Sequence, residues 1–229
     1  MNESSVTSHF WVATPPFSTS TIFVATAPEQ QTGERARTRL QLFDADGSQV
    51  NEVTIEFPAG EVGVIEVEPF TQALKEQGGV AHGHLAISSP IGTRHLCRQS
   101  LGGCVTVLQD PAVTKGRENS FTPLIIGARR EHQLVLVNTS SEPTQIGIRL
   151  YYGNRAPEWN LDLPGNASRI VSLESELLGG SDDRSWEKGA IQAYVRIAPR
   201  LQGAVTCHVI EKIPGETADQ DTYRCLAAW

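Results

Sequence analysis

The chain has no surplus of positive charge: only 4 of its 19 basic residues are Lys (Lys75, Lys115, Lys188, Lys212), and its formal charge is −7. Phosphate backbones need a local excess of Lys and Arg, so a nucleic-acid partner is not expected. No stretch approaches 18 consecutive apolar residues, which excludes a membrane-spanning helix. The first ten residues have no basic run followed by an apolar one, so no signal peptide is read. The expected location is the cytoplasm, with its thiols reduced. Aromatics make up only 7% of the residues.

Chemical signatures are missing too. No Gly-x-Ser-x-Gly, Walker loop, Gly-x-Gly-x-x-Gly or His-Glu-x-x-His occurs. Cys-x-x-Cys at a helix start, the usual form of a catalytic dithiol, is absent as well. Asp44-Ala-Asp-Gly47 begins like a calcium loop but lacks the later ligands, so a turn is expected there. No residue is assigned a catalytic role, and no cofactor is expected. Asn138-Thr-Ser and Asn166-Ala-Ser fit the glycosylation pattern, which has no meaning without secretion.

What the chain does contain is short alternating runs. Ser20–Ala27, Thr38–Phe43, Val53–Phe57, Gly63–Val67, His84–Ile87, Thr93–Cys97 and Cys104–Leu108 read as strands separated by turn formers. Pro69–Gln77 is a short helical candidate, opened by Pro and closed by Gly78-Gly79. The second half retraces this order. Leu134–Val137 corresponds to Ile22–Ala25, Ile146–Tyr151 to Thr38–Phe43, Trp159–Leu163 to Val53–Phe57 and Ile170–Leu173 to Val64–Val67, with Glu174–Leu178 again briefly helical. Offsets of about 110 residues in a shared order are the sign of tandem duplication. The expected fold is therefore all-β: two antiparallel β-sandwich domains related by internal duplication, at 1–110 and 121–229, joined by a polar linker at 111–120. A single large jelly roll is the alternative. His132–Tyr152, two apolar runs around Thr139–Pro143, reads as a hairpin.

The cysteines fall in two pairs, Cys97 with Cys104 and Cys207 with Cys225, and Cys97 and Cys207 hold corresponding places by their spacing from Pro90 and Pro199. A hairpin turning at Ser100-Leu101 would set Cys97 opposite Cys104. One turning near Glu216 would set Cys207 opposite Cys225. Each pair is then a disulfide, a redox pair, or two reduced thiols packed as small hydrophobes. His82, His84, His95 and Cys97 form the one candidate metal cluster. A two-residue turn at Pro90-Ile91 would bring Cys97 opposite His84 on one sheet face, while a one-residue slip would separate them.

Arg35, Arg37 and Arg39 alternate, so they form a basic stripe that either grips an anionic partner or keeps a sheet edge soluble. Four Trp (Trp11, Trp159, Trp186, Trp229) stand out in a chain this poor in aromatics. Trp11 and Trp159 are candidates for binding, with core packing as the alternative. Asp162, Asp182 and Asp183 cannot be paired in space from sequence.

The order of landmarks resembles the bacterial sensory rhodopsin transducer family of small β-sandwich proteins, once per copy. Trp11-Val-Ala13, Leu42-Phe43, Phe57-Pro-Ala59 and Ser88-Ser-Pro-Ile91 carry it in the first half. Val137-Asn138, Leu150-Tyr151, Leu163-Pro-Gly165 and Ala198-Pro199 carry it in the second. The first half lacks the family's Asn and the second its Trp, and a tandem arrangement departs from single-domain members. The resemblance implies a compact sandwich that self-associates and binds other molecules without catalysis.

Taken together, the sequence leads to a non-catalytic interaction or ligand-binding module that forms homo-oligomers or takes a protein partner. A small ligand or carbohydrate is compatible with it. A metal- or thiol-dependent protein using the His82, His84, His95 and Cys97 cluster is the alternative. The long Pro28–Ala36 loop and the Arg stripe make the first half the expected seat of any specific function.

Overall fold

The structure is a computed structural model that describes residues 5–26, 35–58, 60–77, 79–102, 104–109, 114–115, 118–127, 129–179, 189–200, 204–215 and 221–227. The fold is all-β, in four antiparallel sheets. The chain divides into two compact units: Met1–Leu101 with Val105–Pro111, and Gly102–Cys104 with Ala112–Trp229. The division falls near residue 111. The expected linker, however, already carries structure of the second unit, since Thr114–Lys115 pairs with Ala204–Ile213.

In the first unit, β1 (Ser5–Ala13), β2 (Ser18–Ala25), β3 (Arg35–Asp44), β4 (Gln49–Pro58), β5 (Val62–Glu66), β6 (Glu76–Gln77), β7 (Val80–Pro90), β8 (Arg94–Leu101) and β9 (Cys104–Gln109) make two sheets. Their orders are β1-β7-β3-β4, with β6 beside β7, and β5-β2-β8-β9. Alternation decides which side chains face inward. Phe10 and Val12 of β1, Leu40 and Leu42 of β3, and Leu85 and Ile87 of β7 are buried on one sheet. Ile22 and Val24 of β2, Ile65 of β5 and Cys97 of β8 are buried on the other. Helix α1 is only Glu68–Thr71, shorter than the expected Pro69–Gln77. The Asp44–Gly47 segment is the expected turn: Gly47 takes φ 93° and Asp44 Oδ1 accepts from the Ser48 amide at 3.0 Å.

The second unit contains β10 (Thr114–Lys115), β11 (Ser120–Ile126), β12 (Glu131–Asn138), β13 (Thr144–Tyr152), β14 (Glu158–Leu163), β15 (Ser168–Ser172), a π-helical turn (Leu173–Leu178), β16 (Ile191–Pro199), β17 (Ala204–Ile213) and β18 (Thr222–Ala227). One sheet has the order β11-β16-β13-β14. The other has β10-β17-β12-β15, with β18 also paired to β17. These orders repeat those of the first unit. A continuous core of Leu134, Leu136, Ile146, Ile148, Val195 and Val209 fills the space between the two sheets.

The hairpin expected at His132–Tyr152 is not formed. Both strands are present, but β12 pairs with β15 and β17, whereas β13 pairs with β14 and β16. The five residues Thr139–Pro143 carry the chain from one sheet to the other, a gap of ~10 Å that such a loop spans easily. The expected hairpin at Pro90 fails in the same way, because β7 and β8 also lie in different sheets.

Candidate functional site

The arch at Pro90 disperses the expected metal cluster. His95 and Cys97 point into the first sandwich from β8, opposite Val24 and Ile22. His95 is a satisfied core residue: its Nδ1 lies 2.7 Å from Ser8 Oγ and its Nε2 2.9 Å from Ser89 Oγ, which in turn meets Thr38 Oγ1 at 2.9 Å. This chain of polar groups ties β1, β7 and β3 to β8. His82 and His84 share the opposite face of β7 with residues of β1, in the register Ala13↔His82 and Trp11↔His84. His84 stacks on Phe43 with ring centroids 4.8 Å apart and has His9 at 5.5 Å. Burial lowers the pKa of His9 and His82 to about 4 and that of His84 to about 3. Among the described residues no three His, Cys, Asp or Glu side chains come together as a metal requires.

The cysteines are thiols. The register opposes Ile210, not Cys207, to Cys225, which puts the two sulfurs on opposite faces of their sheet. The residue on which the expected turn was centred, Glu216, lies outside the described residues. Burial pushes the thiols of both Cys207 and Cys225 up to about 12, so neither is a nucleophile at neutral pH. In the first unit the turn falls at Gly102 (φ 48°), two residues later than expected, and Cys104 opens β9 instead of facing Cys97. The correspondence of Cys97 with Cys207 also shifts. Ile22 is paired with Cys97 and Leu134 with Val209, so matching Ile22 to Leu134 puts Cys207 in the place of His95.

The Arg stripe is exposed, and its charge is matched by β4. Arg37 Nε donates to Glu56 Oε1 at 2.9 Å, Arg39 bonds Glu52 through two nitrogens at 3.0 and 2.8 Å, and Arg35 lies 3.8 Å from Glu56. Trp11 is buried, and its Nε1 donates to His82 Nδ1 at 3.3 Å. Trp159 packs partly buried against the second core. Both serve packing. Trp186, Trp229, Asp182 and Asp183 lie outside the described residues, and Asp162 accepts from Gln145 Nε2 at 3.0 Å.

The densest buried polar constellation is one that sequence patterns did not flag, and it lies in the second unit. His132 on β12 pairs directly with Glu211 on β17, and both point inward. The π-helical turn supplies the third member. Ser172 Oγ accepts from the Ser175 amide at 3.3 Å and Glu176 Oε1 from the Ser172 amide at 2.9 Å, a reciprocal cap that fixes the turn. Glu174 in its first turn reaches His132, accepting from the backbone amide at 2.7 Å and meeting Nδ1 at 2.6 Å. Nδ1 therefore carries the proton, because a carboxylate only accepts. His132 Nε2 faces Glu211 Oε1 at 3.5 Å.

Two guanidiniums close the constellation. Arg130 Nη1 donates to Glu211 Oε1 at 2.5 Å and Arg224 Nε to Oε2 at 2.7 Å, with Arg224 Nη2 on the same oxygen. Glu211 is only 1% exposed, and burial alone would raise its pKa. Hydrogen bonds and charge from Arg130 and Arg224 outweigh that effect and hold the carboxyl below its ordinary value. The same position in the first unit is neutral: there Ser20 pairs with Gln99, whose amide donates to the Trp11 carbonyl at 2.8 Å. The charged cluster opens on a groove of about 300 Å³ within the second unit. Leu124 and Ile125 of β11, Ala193 and Tyr194 of β16, and Leu226 and Arg224 of β18 line it. No hydrogen bond joins His132 to a hydroxyl or thiol among the described residues, so the arrangement supplies charge and shape without an activated nucleophile.

No protein-family model matches the chain, and no curated protein or solved structure is significantly similar to it.

Proposed function

We propose that the protein is a non-catalytic interaction module built from duplicated β-sandwiches, and that it associates with copies of itself through the outer face of the β5-β2-β8-β9 sheet. The observation that carries this reading is the apolar character of that face. Val64, Phe23 and Leu96 sit side by side across three strands, with Val64 56% exposed. Val62 beside them, and Val105 and Val107 on β9, are also exposed. A contiguous apolar sheet face of this kind marks an interaction surface.

The adjoining row makes the face self-complementary. Glu66, Thr21 and Arg98 lie across the same three strands, and Arg98 makes no ion pair among the described residues. A two-fold axis along β2 would set Phe23 on Phe23 and Glu66 opposite Arg98 of a second copy, an isologous contact. The matching strand orders of the two units support the duplication, and the landmark series resembling the sensory rhodopsin transducer family agrees with association. No helix of the described residues is long and apolar enough to cross a membrane. The thiol state of the cysteines suits the cytoplasm.

Light scattering across a concentration series tests the reading. The wild-type chain is expected to be a dimer or larger, and Val64→Glu a folded monomer. Arg98→Glu should weaken association and the double swap Glu66→Arg, Arg98→Glu should restore it. A wild-type chain that stays monomeric at high micromolar concentration overturns the proposal.

A further inference from the structure

We infer that the outer face of the β11-β16-β13-β14 sheet is a docking surface for a protein segment that carries a carboxylate beside an apolar anchor residue. Arg196 takes the carboxylate, and the adjoining groove takes the anchor. This inference is independent of self-association, which rests on the other unit.

Alternation sets the face: Phe121 and Ile125 of β11, Tyr194 and Arg196 of β16, and Arg149 of β13 point away from the core. Phe121, Ile125 and Tyr194 are 44%, 38% and 52% exposed. The register places Phe121, Arg196, Arg149 and Glu158 in one row across the four strands. Like charges directly opposite each other repel, and Arg196 faces Arg149 in this way. Arg149 is relieved by Glu158, whose Oε2 lies 2.9 Å from its Nη2. The same carboxylate meets Arg200 at 3.5 Å, and Asp162 is engaged by Gln145. Arg196 is left with no ion pair or hydrogen bond among the described residues, its Nε buried without a partner. In the Arg stripe of the first unit, by contrast, every guanidinium has a carboxylate within 3.8 Å. The donors of Arg196 are thus available to an acceptor that another molecule brings.

The groove beside this row suits an uncharged group. Its own charged residues, Arg224 and Glu211, are bonded to each other, and the rest of its lining is largely apolar. Pro123, Ile125 and Tyr194 belong to the groove and to the outer face alike. Tyr194 and Arg196 are two residues apart on one strand, a distance of ~7 Å and the span of two residues of extended chain. An anchor side chain in the groove therefore sets a neighbouring Asp or Glu over Arg196. Pro123 at the centre of β11, an edge strand, discourages the addition of a further strand, so recognition rests on side chains. Phe121, beside Arg196, is outside the groove lining. A small molecule in the groove would leave it uncovered, whereas a polypeptide crossing Arg196 covers both. The composition agrees. Tyr, Phe and Arg are enriched in protein interfaces and Lys is depleted, and none of these four strands contains a Lys.

The probe is a phage-displayed library of random dodecapeptides selected on the full chain. Enriched peptides are then synthesised and titrated by fluorescence anisotropy and amide chemical shifts. They are expected to carry Asp or Glu next to, or one residue removed from, a large apolar residue, and to shift Ile125, Tyr194 and Arg196. Arg196→Gln should weaken them by roughly tenfold or more. Ile125→Glu should abolish binding while leaving the unfolding midpoint near that of wild type. Arg196→Glu should reject the selected peptide and accept the version whose acid is changed to Arg, an exchange that a misfolded variant could not produce. The titration repeated on Val64→Glu should be unchanged, which keeps this test separate from that of association. No enrichment over a control selection, enriched peptides without an acidic residue, or an Arg196→Gln variant that binds like wild type overturns the assignment. So does an Arg196→Glu variant with an altered oligomeric state, since the face would then hold a second copy of the chain.

Discussion

His132 and His84 are both fully buried, yet they sit in opposite surroundings. His132 lies between two carboxylates, whereas His84 has aromatic and imidazole neighbours, and burial and His9 together hold it neutral. His9, His82, His84 and His208 all have folded pKa values lowered to about 3–4, from an ordinary value of 6.5. The unfolded chain takes up protons at these positions as pH falls below 6.5, while the folded chain does not until about pH 4. Folding free energy should therefore decline between those limits. Denaturation midpoints at pH 7.5, 5.5 and 4.5 are expected to fall in that order. His84→Leu should flatten the decline by about one proton's worth of slope, and a profile level down to pH 4.5 would contradict this assignment. Of these residues, the sequence offered only identity and spacing. His82 and His84 share one strand face, a relation that period-2 alternation fixes locally. Glu211, His132 and Glu174 could not be associated, because their meeting depends on which distant strands pair.

The connections between strands explain the largest departures from expectation. Alternation located β2–β5, β7–β9 and β12–β15, whereas β11 is not read as a strand from sequence: β3 ends at Asp44, within one residue of the run read there, and β12 and β13 bracket Thr139–Pro143. It could not say whether a turn returns the chain to the same sheet or lifts it to the opposite one, since both loops are short and polar. Asn138 marks the difference here. Its side chain is buried, Nδ2 donates to the carbonyls of Glu142 at 2.8 Å and Pro164 at 2.9 Å, and Oδ1 accepts from the Ser140 amide at 3.0 Å. It binds the β12–β13 arch to the β14–β15 turn, where Gly165 passes so close that a Cβ would lie 1.9 Å from the Ser141 carbonyl oxygen. Asn138→Ala removes the shared partner of three partly buried backbone groups and should cost about 1–3 kcal/mol in urea unfolding. A loss below about 0.5 kcal/mol would show that the clamp is dispensable. The glycosylation pattern at Asn138 is thus an incidental reading of a structural residue.

At the level of the whole chain, each unit encloses its own core, and the second core draws on residues from Leu124 to Val209 without a contribution from the first unit. Residues 102–229 expressed alone are therefore expected to unfold cooperatively, with a single transition by circular dichroism and tryptophan fluorescence. A gradual melt or loss of amide dispersion would mean that the units are not autonomous. The fold class was legible because short alternating runs separated by turn formers recur along the chain. The asymmetry between the units was less so. The long loop and Arg stripe pointed to the first half, but the stripe is balanced by Glu52 and Glu56, and the buried cluster of His132, Glu174 and Glu211 sits in the second.

The strand order also bears on how the chain must be made. β16 lies between β11 and β13, and β17 joins β12 to the strands on its far side, so one interior strand of each sheet in the second unit comes after Gly189 in sequence. The strands β11 to β15 are all made before β16 and β17, the strands that join β11 to β13 and β12 to β18. Their apolar faces stay open until β16 and β17 emerge, because sequence-distant pairing cannot be completed early. Any pause in translation before β16 and β17 emerge would leave a pair of half-built sheets exposed, and the first unit, where β7 and β8 hold the same places, passes through the same stage.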